Sequence, residues 1–281
     1  MKKIIGFLKL IRPINCLMMA LAVFIGEIIV AGLNLPLDKS FFAMMTAFFL
    51  TGAAMVLNDI VDYNVDLINE PQRPLPSGVV KIPEAKYYYI LLSILGVASA
   101  FFVNILAFMI AILYWFLSAL YDLKLKKTGL LGNIVVSASV AIPFIYGGLA
   151  ISMAINVLLL FFFTVAFLAN TGREITKGIV DIEGDKVKDY KTVAIRYGPK
   201  NAALLATLFY LTAVILSPFP YIIGIANIPY LIVVSVADIL FVYLTIRLLK
   251  DPTRMTARFV KNRVLIAMLL ALISFLIIPF F

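Results

Sequence analysis

The stretches "IVDYNVD" (residues 60–66) and "IVDIEGD" (residues 179–185) decide how this chain is read. Each closes a long apolar run, and each holds two aspartates four residues apart. The runs set the fold class. Hydrophobic residues make up 63% of the 281 and the mean hydropathy is +1.07, whereas a soluble domain is about 45–50% apolar. No soluble core of this size buries so much. The sequence therefore reads as an all-α integral membrane protein, a single domain over residues 1–281. Carboxylates are expensive beside a bilayer, so a matched set placed twice needs a reason.

A spanning helix needs about 20 mostly apolar residues. Nine such stretches are expected, at about 14–33, 41–59, 87–103, 105–122, 131–152, 155–172, 201–222, 227–248 and 264–281. The run over 87–121 is too long for one span, and Asn104 marks a turn inside it. Cations then orient the bundle. Lys2, Lys3, Lys9 and Arg12 precede the first span, and Arg73, Lys81 and Lys86 follow the second. Lys124, Lys126 and Lys127 follow the fourth; Arg173, Lys177, Lys186, Lys188, Lys191, Arg196 and Lys200 follow the sixth. Six more lie between the eighth and ninth, and only Lys39 falls on the opposite side. Such bias marks the cytoplasmic side. It places the N-terminus inside, Phe281 outside, and the aspartate clusters at the cytoplasmic face of the cell membrane. The net charge of +9 is then topology, not a nucleic-acid surface. The start, "MKKIIGFLKLIRPINC", has too short an apolar stretch for a signal peptide and no cleavage site, so the first span is expected to stay in the mature protein.

The first cluster, "NDIVDYNVD", sets Asn58, Asp62 and Asp66 at steps of four, with Asp59 alongside. The second, "DIEGDKVKD", does the same with Asp181, Asp185 and Asp189. On a helix each set shares a face, and like charges at that spacing destabilise it. Three arrangements could offset this: solvated helix ends, the ion relay of a transporter, or two carboxylate faces that hold divalent ions. A relay needs carboxylates near mid-membrane, and these lie at helix ends. Solvation alone needs no matched pair, so the duplication favours the third. The chain has no histidine and one cysteine, Cys16. That removes Ser-His-Asp triads, His-ligated metals, intramolecular disulfides and thiolate clusters. Oxygen ligands alone select Mg²⁺, which completes its shell with substrate phosphates. Two ions bridging one diphosphate would use both clusters.

The interleaved cations agree with this. Arg73 follows the first cluster in "INEPQRPLPSG", Lys177 precedes Asp181 by four, and Lys124 and Lys126 follow Tyr121. Metal and Lys/Arg together stabilise the charge that develops on a departing diphosphate. For Lys127, Lys188 and Lys200, topology is explanation enough. Tyr63, Tyr114, Trp115, Tyr121 and Tyr146 are aromatic faces that could stabilise an allylic cation or serve packing and interfacial anchoring. Glu27 and Asp238 fall inside spans and are functional candidates or paired packing residues. "GAA" over 52–54 reads as a close helix contact and Cys16 as a small apolar filler.

"NDIVDYNVD" resembles the N-D-x-x-D-x-x-x-D motif of the UbiA-type intramembrane prenyltransferases, and "DIEGDKVKD" their second motif, D-x-x-x-D-x-x-x-D. "REITKGIVDIEGD" followed by "KTVAIRYG" keeps the family's order and spacing, and the likeness covers essentially the whole chain. It implies a nine-helix bundle around a central cavity, Mg²⁺ dependence, and transfer of an isoprenoid from its diphosphate to a lipophilic acceptor. "IRPIN" and "INEPQRPLPSG" look most like the archaeal ether-lipid branch. That branch implies transfer from geranylgeranyl diphosphate to the free hydroxyl of geranylgeranylglyceryl phosphate. An aromatic-acceptor enzyme of quinone-type biosynthesis is the alternative within the family. The D-G-x-x-A-R signature of CDP-alcohol phosphotransferases is absent.

Carried over by position, the resemblance implies that Asn58, Asp62, Asp181 and Asp185 bind Mg²⁺–diphosphate while Asp59 and Asp66 assist. Arg73, Lys177 and one of Lys124 or Lys126 would contact phosphate oxygens. Tyr121 joins the catalytic set, and Arg12 and Asn15 of "IRPIN" the substrate-binding set. Two departures stand out. The family's Y-x-x-x-K has no counterpart at that spacing after Tyr121, since the lysines are Lys124 and Lys126. Gly178 stands where an acidic residue is frequent. Lys124 and Lys126 lie on a separate loop from Arg73 and Lys177, which makes them candidates for an acceptor's own phosphate.

Overall fold

A computed structural model describes residues 2–152, 155–187 and 189–278. Lys188 and the end of the expected last span, 279–281, lie outside the described residues. All regular structure among the described residues is helical. In chain order the helices are α1 (Lys2–Ile11), α2 (Pro13–Ala31), α3 (Leu37–Val61), α4 (Tyr63–Asn69), α5 (Ile82–Phe101) and α6 (Ile105–Leu120). Then come α7 (Leu130–Ile151), α8 (Val157–Val180), α9 (Ile182–Val187), α10 (Val193–Leu216), α11 (Phe219–Ile222), α12 (Ile228–Lys250) and α13 (Arg254–Ile277). A π-helical turn, Tyr121–Leu125, and a short 3₁₀ turn, Lys126–Thr128, link α6 to α7.

Among the described residues, eight stretches are long and apolar enough to cross a membrane. The expected span at 87–103 corresponds to α5, which is not one of them. Its first two turns carry Glu84, Lys86 and three tyrosines, and these lower its apolar character. The chain does break at Asn104 as expected. Its side chain caps α6 by accepting from Ala107 N (2.7 Å) and donates to Ala150 O (2.9 Å). A side-chain oxygen at this position satisfies a backbone N–H that the first helical turn leaves open. Three helices begin or end well outside the expected spans. Thr253 caps α13 ten residues early, Thr192 caps α10 before a kink at Gly198 and Pro199, and α8 runs on to Val180. Side-chain caps and tertiary packing set these ends, and hydropathy does not register them.

The helices fall into two compact units. One comprises Met1–Lys126 and Pro143–Asn156, the other Lys127–Ile142 and Val157–Phe281. In the first, α3 packs on α2 and α5. Leu10, Ile11, Cys16, Ala53, Val56 and Leu92 share a buried cluster, so Cys16 is the apolar filler expected. Gly52 sits against Ile11 and Leu92. A closer approach joins α2 to α7: a Cβ on Gly147 would lie 2.0 Å from Val23 O, and one on Gly26 2.2 Å from Phe144 O. Only hydrogen fits there. Glu27 is fully buried and accepts from Ser40 Oγ. Tyr114 and Trp115 pack against Leu50, Ala100 and Ala111, and Tyr146 against Val23 and Ala43, which is the packing role for all three.

In the second unit α8 packs on α10 and α13, and α12 on α13. Buried Tyr210 shares a hydrogen bond with Thr176 (3.1 Å), Asn170 donates to Ser137 (3.2 Å), and Phe162 stacks on Phe275 at 4.1 Å. Asp238 accepts from Ser217 Oγ at 2.6 Å. Both intraspan carboxyls, Glu27 and Asp238, are thus partnered by a serine within their own unit.

Candidate active site

The two aspartate stretches fold by one recipe. α3 ends at Val61 and α8 at Val180; Asp62 and Asp181 fall in the break; the short helices α4 and α9 follow. The continuous helical face expected of each cluster is therefore broken at its central aspartate. The backbone bonds of a helix persist across the break even so. Asp62 N donates to Asn58 O and Asp66 N to Asp62 O, both at 2.8 Å, while Asp181 N donates to Lys177 O (3.1 Å) and Asp185 N to Asp181 O (2.8 Å). Steps of four are kept across the break. Asp189 does not extend the second face. It lies beyond the end of α9 with φ 52°, exposed to solvent.

At the first turn Asp59, Asp62 and Asp66 are buried, and each meets a cation. Arg12 Nη2 donates to Asp59 Oδ1 at 2.6 Å. Arg73 Nη1 donates to Asp66 Oδ2 at 2.7 Å and lies 3.5 Å from Asp59 Oδ1. Lys126 Nζ donates to Asp62 Oδ2. Burial pushes the Asp66 carboxyl up to about 6; Arg73 opposes the shift, and Asp59 and Asp62 add to it. Burial also works against the charge on Arg73, but Asp59 and Asp66 outweigh it and hold the guanidinium charged. Arg12 reaches Asp59 from a left-handed backbone conformation (φ 51°) at the junction of α1 and α2. That conformation is costly for a non-glycine residue and is found where the surroundings enforce it. Asn15 is tied to Arg12 through its backbone, N–H donating to Arg12 O at 2.8 Å.

The π-turn settles which lysine follows Tyr121 inward. Lys126 N–H bonds Tyr121 O, the i to i+5 bond of a π-helix. A π-turn brings residues five apart onto one side, as an α-helix does residues four apart. Tyr121 and Lys126 are thereby set on one side of the turn. Lys126 has 13% of its side chain exposed, whereas Lys124 and Lys127 are exposed. Lys124 and Lys126 therefore have different surroundings, the first solvent and the second the Asp62 carboxylate. The same turn brings in Asp122, which the sequence reading missed. It is buried and accepts from Asn58 Nδ2 at 2.9 Å. Its signal was present, a lone acid four residues before Lys126 in a run otherwise apolar or basic.

At the second turn Asp185 is buried and Asp181 half-buried. Lys177 Nζ reaches Glu174 Oε2 (3.4 Å), which Arg173 also approaches through Glu174 Oε1 (3.2 Å). Glu183 pairs with Arg254 at 2.5 Å. Gly178, one residue after Lys177, lies near Thr192 with room for a Cβ at 3.7 Å. No group of three or more acids among the described residues converges as a metal cage. Even so, the donors suit a hard cation. All are amide or carboxylate oxygens, and the buried acids of the first turn are held by cationic side chains, the compensation that a divalent ion supplies.

Comparison with known proteins bears on the chain as a whole. The digeranylgeranylglyceryl phosphate synthase of Methanocaldococcus jannaschii is 38% identical over 277 residues, 99% of this chain and 97% of that protein. A solved structure concerned with digeranylgeranylglyceryl phosphate synthase in membranes is similar at 37% identity with a TM-score of 0.74, covering 99% of each chain. A UbiA homolog from Archaeoglobus fulgidus, solved with DMAPP and Mg²⁺, shares the fold at 19% identity and a TM-score of 0.66, over 95% of this chain and 99% of that one. The model of the UbiA prenyltransferase family matches residues 19–273. With two aspartate turns built alike on a multi-pass helical membrane frame, this chain belongs to the UbiA prenyltransferase family.

Proposed function

We propose that the protein transfers a geranylgeranyl group from geranylgeranyl diphosphate to the free hydroxyl of geranylgeranylglyceryl phosphate, with Mg²⁺, forming the second ether bond of an archaeal membrane lipid. The observation that carries the choice of acceptor is the chain-long identity to digeranylgeranylglyceryl phosphate synthases. Mg²⁺ is supported by the all-oxygen donor set and by the fold relative bound to DMAPP and Mg²⁺. In this reading the two units form one domain, α5 is the ninth span, the N-terminus is cytoplasmic and the C-terminus outside. The site opens toward the cytoplasmic face of the cell membrane. The family match across both units and the distribution of cations support that arrangement.

Asn58, Asp59, Asp62 and Asp66 from one turn and Asp181 and Asp185 from the other would hold two ions. Bound there, the ions would neutralise charge on the leaving diphosphate. Arg73, Lys126 and Lys177 hold its phosphate oxygens through charge-assisted bonds. Arg12 fixes Asp59, and Asp122 orients the Asn58 amide so that its oxygen faces the site. Tyr121 anchors the turn that aims Lys126; the acceptor's hydroxyl oxygen bonds to the allylic carbon as the carbon–oxygen bond to the diphosphate breaks, and the hydroxyl proton passes to water or the departing diphosphate. Lys124, exposed on the neighbouring surface, is a candidate contact for the acceptor's phosphate.

The test is a transfer assay with purified protein, geranylgeranyl diphosphate and Mg²⁺, products read by mass spectrometry. We expect the mass of the diether phosphate with geranylgeranylglyceryl phosphate and none after chelation. Product from 4-hydroxybenzoate alone would move the protein to the aromatic-acceptor class. Cysteine labelling in a Cys16→Ser background tests topology: position 78 and the C-terminus should be reached from opposite sides.

A further inference from the structure

We propose that Lys126 neutralises Asp62 whenever substrate is absent, so that metal enters the first aspartate turn together with the donor's diphosphate and not before it. This rests on the reading of the site given above and adds an order of binding to it. The ammonium of Lys126 is seated on Asp62 Oδ2, with Asp122 also beside it. It is placed there by the backbone, through the bond from Lys126 N–H to Tyr121 O. The same turn is tied to Asn58 through Asp122 at 2.9 Å, so both of its contacts fall on the residues expected to bind metal. Asp59 and Asp66 are occupied as well, by Arg12 and Arg73. Asp59, Asp62 and Asp66 thus face Arg12, Arg73 and Lys126, and Asp122 adds one further negative charge.

A divalent ion arriving alone would meet an ammonium on the carboxylate it needs. Displacing it would break a largely buried ion pair and leave Lys126 with only Asp122 beside it, which is costly. A diphosphate arriving with the ion changes the balance. Its oxygens accept Lys126 at the moment Asp62 is released, and Arg73 gains an alternative partner in the same way. Metal and diphosphate therefore raise each other's affinity by one shared factor.

The experiment measures Mn²⁺ binding to the full chain in detergent by electron paramagnetic resonance, with and without inorganic pyrophosphate. The unaltered protein should bind Mn²⁺ at least about tenfold more tightly when pyrophosphate is present. Lys126→Gln should bind Mn²⁺ alone about tenfold more tightly than the unaltered protein, because a neighbouring positive charge is gone, and should lose most of the enhancement by pyrophosphate. Lys124→Gln should match the unaltered protein in both. Equal or weaker Mn²⁺ binding by Lys126→Gln without pyrophosphate would overturn the proposal. So would an unaltered protein that binds Mn²⁺ equally well with and without pyrophosphate, a measurement that needs no variant. In either case, intact geranylgeranyl transfer would leave the proposed function standing; an unaltered protein that binds neither probe and transfers nothing overturns both.

Discussion

The two aspartate turns share a backbone and differ in what surrounds it. In each, an Ile-Val pair ends a long helix, an aspartate sits in the break, and a short helix carries the next aspartate. Aligned on "IVD", Asn58 and Asp59 of the first correspond to Lys177 and Gly178 of the second. The first therefore carries one more aspartate, Asp59, and remote cations meet its buried acids: Arg12 from the start of the chain, Arg73 from the following loop and Lys126 from the π-turn. At the second, Lys177 of the same helix is held by Glu174 one turn back, and the remote cation, Arg254, pairs with the exposed Glu183 and not with an aspartate of the turn. Local sequence thus sets the shape of the turn, while its charge balance is set by whatever the fold packs against it.

Removing the central aspartate of either turn tests whether the likeness is functional. Asp62→Ala and Asp181→Ala should each lower geranylgeranyl transfer by about 10³-fold or more, the scale of lost metal and electrostatic stabilisation of a leaving group. Circular dichroism should show both variants still helical. A variant that kept near-normal turnover would mean that its turn is a solvated helix end and that the duplication has no catalytic meaning.

The cations sharpen the contrast. Arg73→Gln leaves buried Asp59 and Asp66 short of a partner, and breaking buried pairs costs about 3–5 kcal/mol. Because Arg73 is one-quarter exposed, a loss of about 2 kcal/mol is expected, with the donor KM raised about tenfold or more. Lys177→Gln should raise the donor KM comparably and leave the melting temperature within a few degrees, since its contact to Glu174 is long and partly exposed. Equal destabilisation by both substitutions would erase the distinction between the turns.

A smaller effect follows from Asp66, whose carboxyl burial pushes up to about 6 from an ordinary value of 3.8. Below about 4 it is protonated in folded and unfolded chains alike; between about 4 and 6 only the folded chain keeps the proton. This group's contribution is therefore fully present below about 4 and is lost as pH rises through 6. Asp66→Asn should flatten that part of the dependence of melting temperature on pH, and an unchanged profile would show that Asp66 does not cause it. The smallest change is expected at the position where the turns differ most. Gly178→Ala should stabilise α8 by about 0.5 kcal/mol by removing backbone freedom, since its Cβ has room beside Thr192. Asp59→Ala, at the matching position, should destabilise.

Much of this protein could be read from local sequence. Apolar runs of spanning length, the break at Asn104, and both aspartate turns needed only residues close together in the chain. Hydropathy is a sum over neighbours, and a capping side chain acts within three residues. The extent of the helices was less legible, because α10 and α13 begin at caps in polar sequence. What tertiary structure decided was partnership. Arg12 meets Asp59 across 47 positions and Lys126 meets Asp62 across 64, and no local pattern ties such residues together. The choice of Lys126 over Lys124 came from one extra residue in a helical turn, and the place of Asp122 from packing against Asn58. Charge pairs inside a membrane protein are chosen by which helices can approach one another. That approach depends on contacts such as Gly26 and Gly147 against the facing backbone, far from the carboxylates whose surroundings it helps to set.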